Sequence, residues 1–82
     1  MLVSSFYVYA IKNNQGRIYV GYTGDLEARL ARHNSGYVKS TKAGVPWRFV
    51  KSQSFRTENE ARFFERSLKR SKGKREKWIK EG

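Results

Sequence analysis

Cysteine is absent from these 82 residues, which excludes a disulfide framework and any thiolate zinc site. Histidine is nearly absent: His33 stands alone and cannot by itself build a histidine-based zinc centre. A metal bound here must therefore rest mainly on oxygen ligands, which points to magnesium or manganese. Acids are few, 7 against 18 lysines and arginines, so a two-metal site rich in carboxylates is disfavoured. No apolar run approaches the length of a membrane span. The first eleven residues lack both a basic start and a small-residue cleavage site, so no targeting segment is read there. These absences lead to the expectation of a cytoplasmic protein without membrane contact. The Gly-x-x-x-x-Gly-Lys-Ser/Thr phosphate loop is missing as well, which argues against an NTPase. His33 has no serine, cysteine and acid in a triad arrangement.

What is present is positive charge, and it is unevenly placed. Residues 1–27 balance Lys12 and Arg17 against Asp25 and Glu27. Residues 28–57 then hold seven basic residues (Arg29, Arg32, Lys39, Lys42, Arg48, Lys51, Arg56) and no acid. Residues 66–80 carry eight more against Glu76 alone. Together they give a net charge of +11. Solvation does not require thirty acid-free residues; an electropositive face for a polyanion does. The expected partner is nucleic acid, DNA in the first instance, with Arg32, Lys39, Lys42, Arg66, Lys69, Lys72 and Lys74 as the side chains that contact it. A basic but merely soluble surface is the plainer alternative.

The chain reads as one α+β domain over residues 1–82. Residues 6–11 and 17–23 are rich in aromatic and β-branched side chains and read as strands. The cluster Asn13-Asn14-Gln15-Gly16 turns between them into a hairpin. Asp25 is a good N-cap for a helix over residues 26–34 that stops near Gly36. Residues 36–46 read as a basic loop and residues 47–55 as a third strand. Thr57 and Glu60 fit a capping box for a helix running to about Ser71. Gly73 is expected to break it before a last short helix over residues 74–80, with Trp78 and Ile79 turned inward. The order ββαβαα cannot make a parallel doubly wound sheet, so a small three-stranded antiparallel sheet flanked by helices is expected.

Two of these helices carry an anomaly. At about 100° per residue, Arg29 and His33 share the face of Leu30, and Glu65 falls in the apolar stripe of Phe64 and Leu68. An unpaired buried charge costs several kcal/mol, roughly, so these three groups must be paired or line a cleft. One outcome is a salt bridge between Glu65 and Arg29 inside the fold. The other uses the phenols of the hairpin, Tyr7, Tyr9, Tyr19 and Tyr22. Phenol, guanidinium, imidazole and carboxylate meeting on one sheet face form a phosphoryl-transfer set.

The ordered motifs resemble those of the GIY-YIG nuclease family. Tyr7-Val8-Tyr9 stands where that family has Gly-Ile-Tyr, and Tyr19-Val20-Gly21 stands where it has Tyr-Ile-Gly. Gly21-Tyr22-Thr23, Asp25-Leu26, Arg29-Leu30 and His33-Asn34 match its first helix. Ser40-Thr41-Lys42 resembles a loop of its small stand-alone members, which are similar to the nuclease domain of the bacterial excision-repair subunit UvrC. Glu60-Ala61 and Glu65, then Leu68-Lys69, match the helix with the metal-binding glutamate. The resemblance covers residues 6–79. It implies an endonuclease that hydrolyses phosphodiester bonds with one Mg2+ or Mn2+ ion, in repair or recombination. Tyr9 and Tyr19 match the active-site tyrosines, a proton acceptor or substrate positioner. Gly21 matches a glycine that lets backbone and phosphate approach closely. Arg29 matches the arginine that stabilises the phosphate in the transition state. Glu65 matches the sole protein carboxylate on the metal. His33 matches a position that is histidine in some branches, where it bonds to the first tyrosine. Two departures stand out: Tyr7 replaces the first glycine, and no asparagine follows Glu65. That last role is vacant or falls to basic residues near Lys74. Family members rely on appended domains for targeting, which implies a targeting partner protein for this short chain. A non-catalytic basic nucleic-acid-binding module is the alternative reading.

A shared site requires Tyr9 and Tyr19 on one sheet face. Pairing Tyr9 with Tyr19 achieves this, with Ile11 opposite Arg17, a loop centred on Asn14 and Gly16 in a left-handed conformation.

Overall fold

The computed structural model describes residues 5–81. Three strands, β1 (Phe6–Asn13), β2 (Ile18–Thr23) and β3 (Trp47–Phe55), form one antiparallel sheet in the order β2-β1-β3. Three helices, α1 (Leu26–Asn34), α2 (Glu58–Arg70) and α3 (Lys72–Lys80), flank it, and a short 3-10 turn covers Lys42–Gly44. The ββαβαα order and the α+β class are those expected.

β1 is the central strand, and its residues Val8, Tyr9, Ala10 and Ile11 are all buried. Successive side chains point to opposite faces, so a continuous buried run means that both faces are covered. Val8, Ala10 and Val20 pack under Ala61, Leu68 and Trp78 of α2 and α3, with Ile79 beside them. Tyr9, Ile11 and Trp47 form the opposite core, joined by Tyr19, Leu26, Leu30 and Phe49. One layer is thus α2 with α3; the other is α1.

The hairpin register differs from the expected one by two residues. Tyr9 lies opposite Gly21, and Ile11 lies opposite Tyr19. The reason is in the turn. Asn13 ends β1 and organises the loop with both its backbone and its side chain. Its N–H donates to the Arg17 carbonyl at 3.1 Å, and its own carbonyl accepts from Gly16 N–H at 3.1 Å. Its side-chain oxygen accepts from the N–H groups of Gln15 and Arg17 at 3.1 and 2.8 Å. Gly16, at φ 85, then takes the left-handed position of a three-residue loop. The loop therefore centres on Gln15, not Asn14. A shift of two preserves the side-chain alternation, so Tyr9 and Tyr19 still share a face, as diagonal neighbours.

The break between the last two helices also differs. Ser71, not Gly73, separates them: its N–H closes α2 on the Leu68 carbonyl, and its hydroxyl accepts from Lys74 N–H at 3.1 Å to cap α3. Gly73 lies inside α3. The other caps are as expected, with Asp25 accepting from Ala28 N–H and Thr57 from Glu60 N–H.

Candidate active site

The site grows from the α1 face of the sheet. Leu26 and Leu30 anchor α1 on that face, and the helical repeat then turns His33 inward, where it is 1% exposed. Its Nε2 lies 2.8 Å from the Tyr9 hydroxyl. Its Nδ1 lies 2.8 Å from the Thr41 hydroxyl. The Tyr19 ring stands edge-on to the imidazole with centroids 5.0 Å apart, so both tyrosines of the hairpin meet one histidine. Asn34 ties the end of α1 to β3: its side chain accepts from Trp47 N–H at 2.7 Å and donates to the Trp47 carbonyl at 3.0 Å.

Gly21 makes room for this arrangement. A Cβ at Gly21 would stand 2.6 Å from the Tyr9 hydroxyl and 2.8 Å from its ring carbon. The close approach at Gly21 is therefore made by the Tyr9 phenol, its cross-strand neighbour.

Arg29, one turn before His33, is half-buried and shares a surface depression with Thr23, Asp25, Ala28 and Arg32. Glu65 comes from the other layer. The four groups do not meet on one sheet face, because α2 covers the opposite side. α2 also packs along β2, an edge strand, and the carboxylate is delivered beside that edge. Glu65 is 16% exposed and pairs with Lys69 one turn on, at 3.0 Å. The Lys69 ammonium sits 5.4 Å from the centre of the Tyr19 ring, which fixes where the carboxylate reaches the site. Among the described residues this is the one ion pair, so a salt bridge between Glu65 and Arg29 is not formed.

The electrostatics bind these groups together. Burial raises the Tyr9 phenol above its ordinary pKa; Tyr19 and Glu65 raise it further, and Arg29 opposes them. His33 is lowered, first by burial and then by Arg29 and Arg32. Both shifts favour the uncharged forms.

Of the residues expected to touch nucleic acid, Arg32, Lys39, Lys42, Arg66, Lys69, Lys72 and Lys74 are all exposed. Lys69 belongs to the site itself through Glu65. Lys74 donates to the Ser67 hydroxyl at 3.0 Å and lies over the Phe64 ring, so it is engaged within the α2–α3 pair. Thr41 was missed as a site residue. Ser40-Thr41-Lys42 matches a loop of the small stand-alone members without a role for Thr41, yet Thr41 is completely buried against His33. The one available signal was His33 itself, since an inward imidazole needs partners for both nitrogens.

A single carboxylate with two phenols nearby cannot enclose a metal. Among the described residues there is no group of three histidine, cysteine, aspartate or glutamate side chains placed to hold one. The donor set does suit a hard cation that keeps most of its waters. One oxygen of Glu65 is paired with the Lys69 ammonium, so a metal ion at this carboxylate would have to displace that contact.

Comparison with known proteins bears on the family and the fold. The model of the GIY-YIG catalytic domain matches residues 5–78. A UPF0213 protein of Streptococcus pneumoniae is 42% identical over 67 residues, covering 80% of this chain and 68% of the relative. A UPF0213 protein of Staphylococcus saprophyticus is 38% identical over 78 residues, covering 93% of this chain and 95% of the relative. The solution structure of a UPF0213 protein from Bacillus halodurans superposes with a TM-score of 0.59 at 34% identity, covering 92% of this chain and 82% of the other. With its hairpin tyrosines joined to the α1 histidine and its glutamate brought in from α2, this chain belongs to the GIY-YIG nuclease family.

Proposed function

We propose that the protein is a metal-dependent endonuclease that hydrolyses phosphodiester bonds of nucleic acid, DNA in the first instance, in repair or recombination. One observation carries this reading. In a protein of net charge +11, Glu65 is sunk to 16% exposure without pairing to Arg29, and its charge acts on the same phenol as that of Arg29. A module that only binds phosphates gains nothing from such a carboxylate; it repels them.

In this reading Glu65 would hold the one Mg2+ or Mn2+ ion in place of its contact with Lys69. The ion supplies charge stabilisation on the phosphate oxygens. Arg29 supplies a second positive charge there. Tyr9, hydrogen-bonded to His33, takes the proton of the attacking water while its own phenol proton moves to His33 Nε2. The water oxygen forms a bond to phosphorus, and the bond from phosphorus to the leaving sugar oxygen breaks. The leaving oxygen takes a proton from solvent, and His33 later returns its proton to solvent. Tyr19 positions the phosphate. Arg32, Lys39, Lys42, Arg66, Lys72 and Lys74 hold the flanking strand.

The test is Glu65→Gln against linear, branched and single-stranded DNA and RNA, with manganese and without metal. Cleavage by the parent protein should depend on the ion. The variant should bind as before and cut nothing. Because the pair lost is an i,i+4 contact with a half-exposed lysine, stability should change by only about 0.5 kcal/mol. Full activity of the variant with manganese present would sink the mechanism. Binding without cleavage by the parent protein on every substrate would favour the non-catalytic module.

A further inference from the structure

Thr41 has no part in the chemistry above, yet nothing in the site is more deeply buried. Its hydroxyl is 2.8 Å from His33 Nδ1, and its carbonyl accepts the indole N–H of Trp47 at 2.8 Å. The loop that carries it is therefore fastened to the core of the α1 layer.

The protons in this cluster have only two consistent arrangements. A neutral imidazole has one N–H and one lone pair, and each ring nitrogen of His33 faces a hydroxyl. In the first arrangement Thr41 donates to Nδ1, and Nε2–H donates to the Tyr9 oxygen. The phenol proton of Tyr9, a residue 2% exposed, then has no acceptor among the described residues. In the second, His33 Nδ1–H donates to Thr41, and Thr41 donates to the Val38 carbonyl at 3.4 Å. The phenol proton then donates to Nε2. That carbonyl also accepts from the N–H groups of Thr41 and Lys42, so the threonine bond is a third and longer one on the same oxygen. The second arrangement gives every proton a partner within the cluster, the Thr41 proton by a shared third contact on the Val38 carbonyl; the first leaves the phenol proton without one among the described residues, and buried donors are almost always paired.

We propose that Thr41 is a positioning residue that holds His33 as its Nδ1–H tautomer, so that the Nε2 lone pair is aimed at the phenol proton of Tyr9. Its consequence for cleavage rests on the nuclease reading; the tautomer itself does not. With this tautomer His33 can take the phenol proton as Tyr9 takes one from water, and the imidazolium that forms keeps its Nδ1–H on Thr41. In the other tautomer Nε2 already carries hydrogen and the transfer is blocked. The charged and titratable groups facing His33 are Arg29 and Arg32 of α1, Tyr9 of β1 and Tyr19 of β2. Both arginines disfavour the imidazolium.

Nitrogen-15 NMR of the labelled full chain reads the tautomer directly, without metal or substrate. The parent protein should show a protonated Nδ1 and a pyridine-type Nε2. Thr41→Val keeps the shape and removes the hydroxyl, so the Nε2–H form should appear. On the same variant kcat for oligonucleotide cleavage should fall by about 100-fold, at the lower end of general acid–base effects, with nucleic-acid affinity unchanged. Thr41→Ser should restore both. An Nε2–H spectrum of the parent protein overturns the proposal whether or not any variant folds. So does an unchanged tautomer in Thr41→Val. If the tautomer switches as expected but the parent protein cleaves nothing, the nuclease reading fails and the role of Thr41 stands. If cleavage is normal and the tautomer does not move, the reverse holds.

Discussion

Gly21 and Tyr9 are the clearest case of one residue deciding the conformation of another. They face each other across β1 and β2, and no atom larger than hydrogen fits between them. Gly21→Ala must push the phenol away from His33. The expected outcome is a loss of about 1–3 kcal/mol, as for overpacking of a tight site, together with loss of cleavage; denaturant melts and a cleavage assay read the two. His33 gives a pH prediction. Its folded pKa is depressed, so the unfolded chain takes up the proton first as pH falls. Its contribution to stability is therefore full above the unfolded value of about 6.5 and is lost as pH drops from there through the lower folded value. An NMR titration should place the His33 midpoint below about 6.5, and Arg32→Gln should raise it. A midpoint above that value would contradict the burial described here.

At the scale of elements, the junction of α2 and α3 separates helix propensity from helix capping. Glycine is expected to stop a helix because it is conformationally permissive, and Gly73 stands where that break was read. The chain does not use it so. Gly73 has no left-handed backbone, and a Cβ there would meet nothing within 4 Å. Gly73→Ala should accordingly stabilise the protein by about 0.4–1 kcal/mol. Ser71→Ala removes the hydroxyl that caps α3 and should cost about 1 kcal/mol. Each kilocalorie shifts Tm by about 4–8 °C in a domain of this size, so both substitutions are measurable by thermal unfolding. If Gly73→Ala destabilised and Ser71→Ala were silent, the assignment of the break would be reversed.

At the scale of the whole molecule, charge and architecture meet. The sheet carries helices on both faces, and the site lies where contributions from both layers converge beside β2. The basic side chains are spread over α1, the loop after it, α2 and α3, so a bound strand has cations available from several elements. Log affinity for duplex DNA should fall against log salt with a slope of about −0.9 per phosphate contacted. Lys39→Gln and Lys42→Gln should each make that slope shallower by about 0.9 if the residue touches a phosphate. A binding constant indifferent to salt would contradict the electrostatic reading.

Much of the fold was legible in the sequence because local rules decide it. Period-two and helical patterning placed the strands and helices, and Asp25 and Thr57 marked their helix starts. Gly16 marked the left-handed turn, and the spacing of Arg29 with His33 marked an inward face on α1. The ordered motifs then led to the family. Other features depend on contacts between distant segments. The two-residue shift of the hairpin came from the buried side chain of Asn13, whose role could not be separated from its turn neighbours. The layer from which Glu65 arrives depends on how α2 lies across the sheet, and a helical wheel fixes a face without saying what stands opposite. The partner of Glu65 was decided in the same way, by Lys69 one turn on rather than by Arg29 in another layer. Thr41 is the extreme case: its loop resembles one in the family's small members, but no local pattern tells its side chain from an exposed loop threonine. Only the packing of its loop against α1 and Trp47 places its hydroxyl on His33.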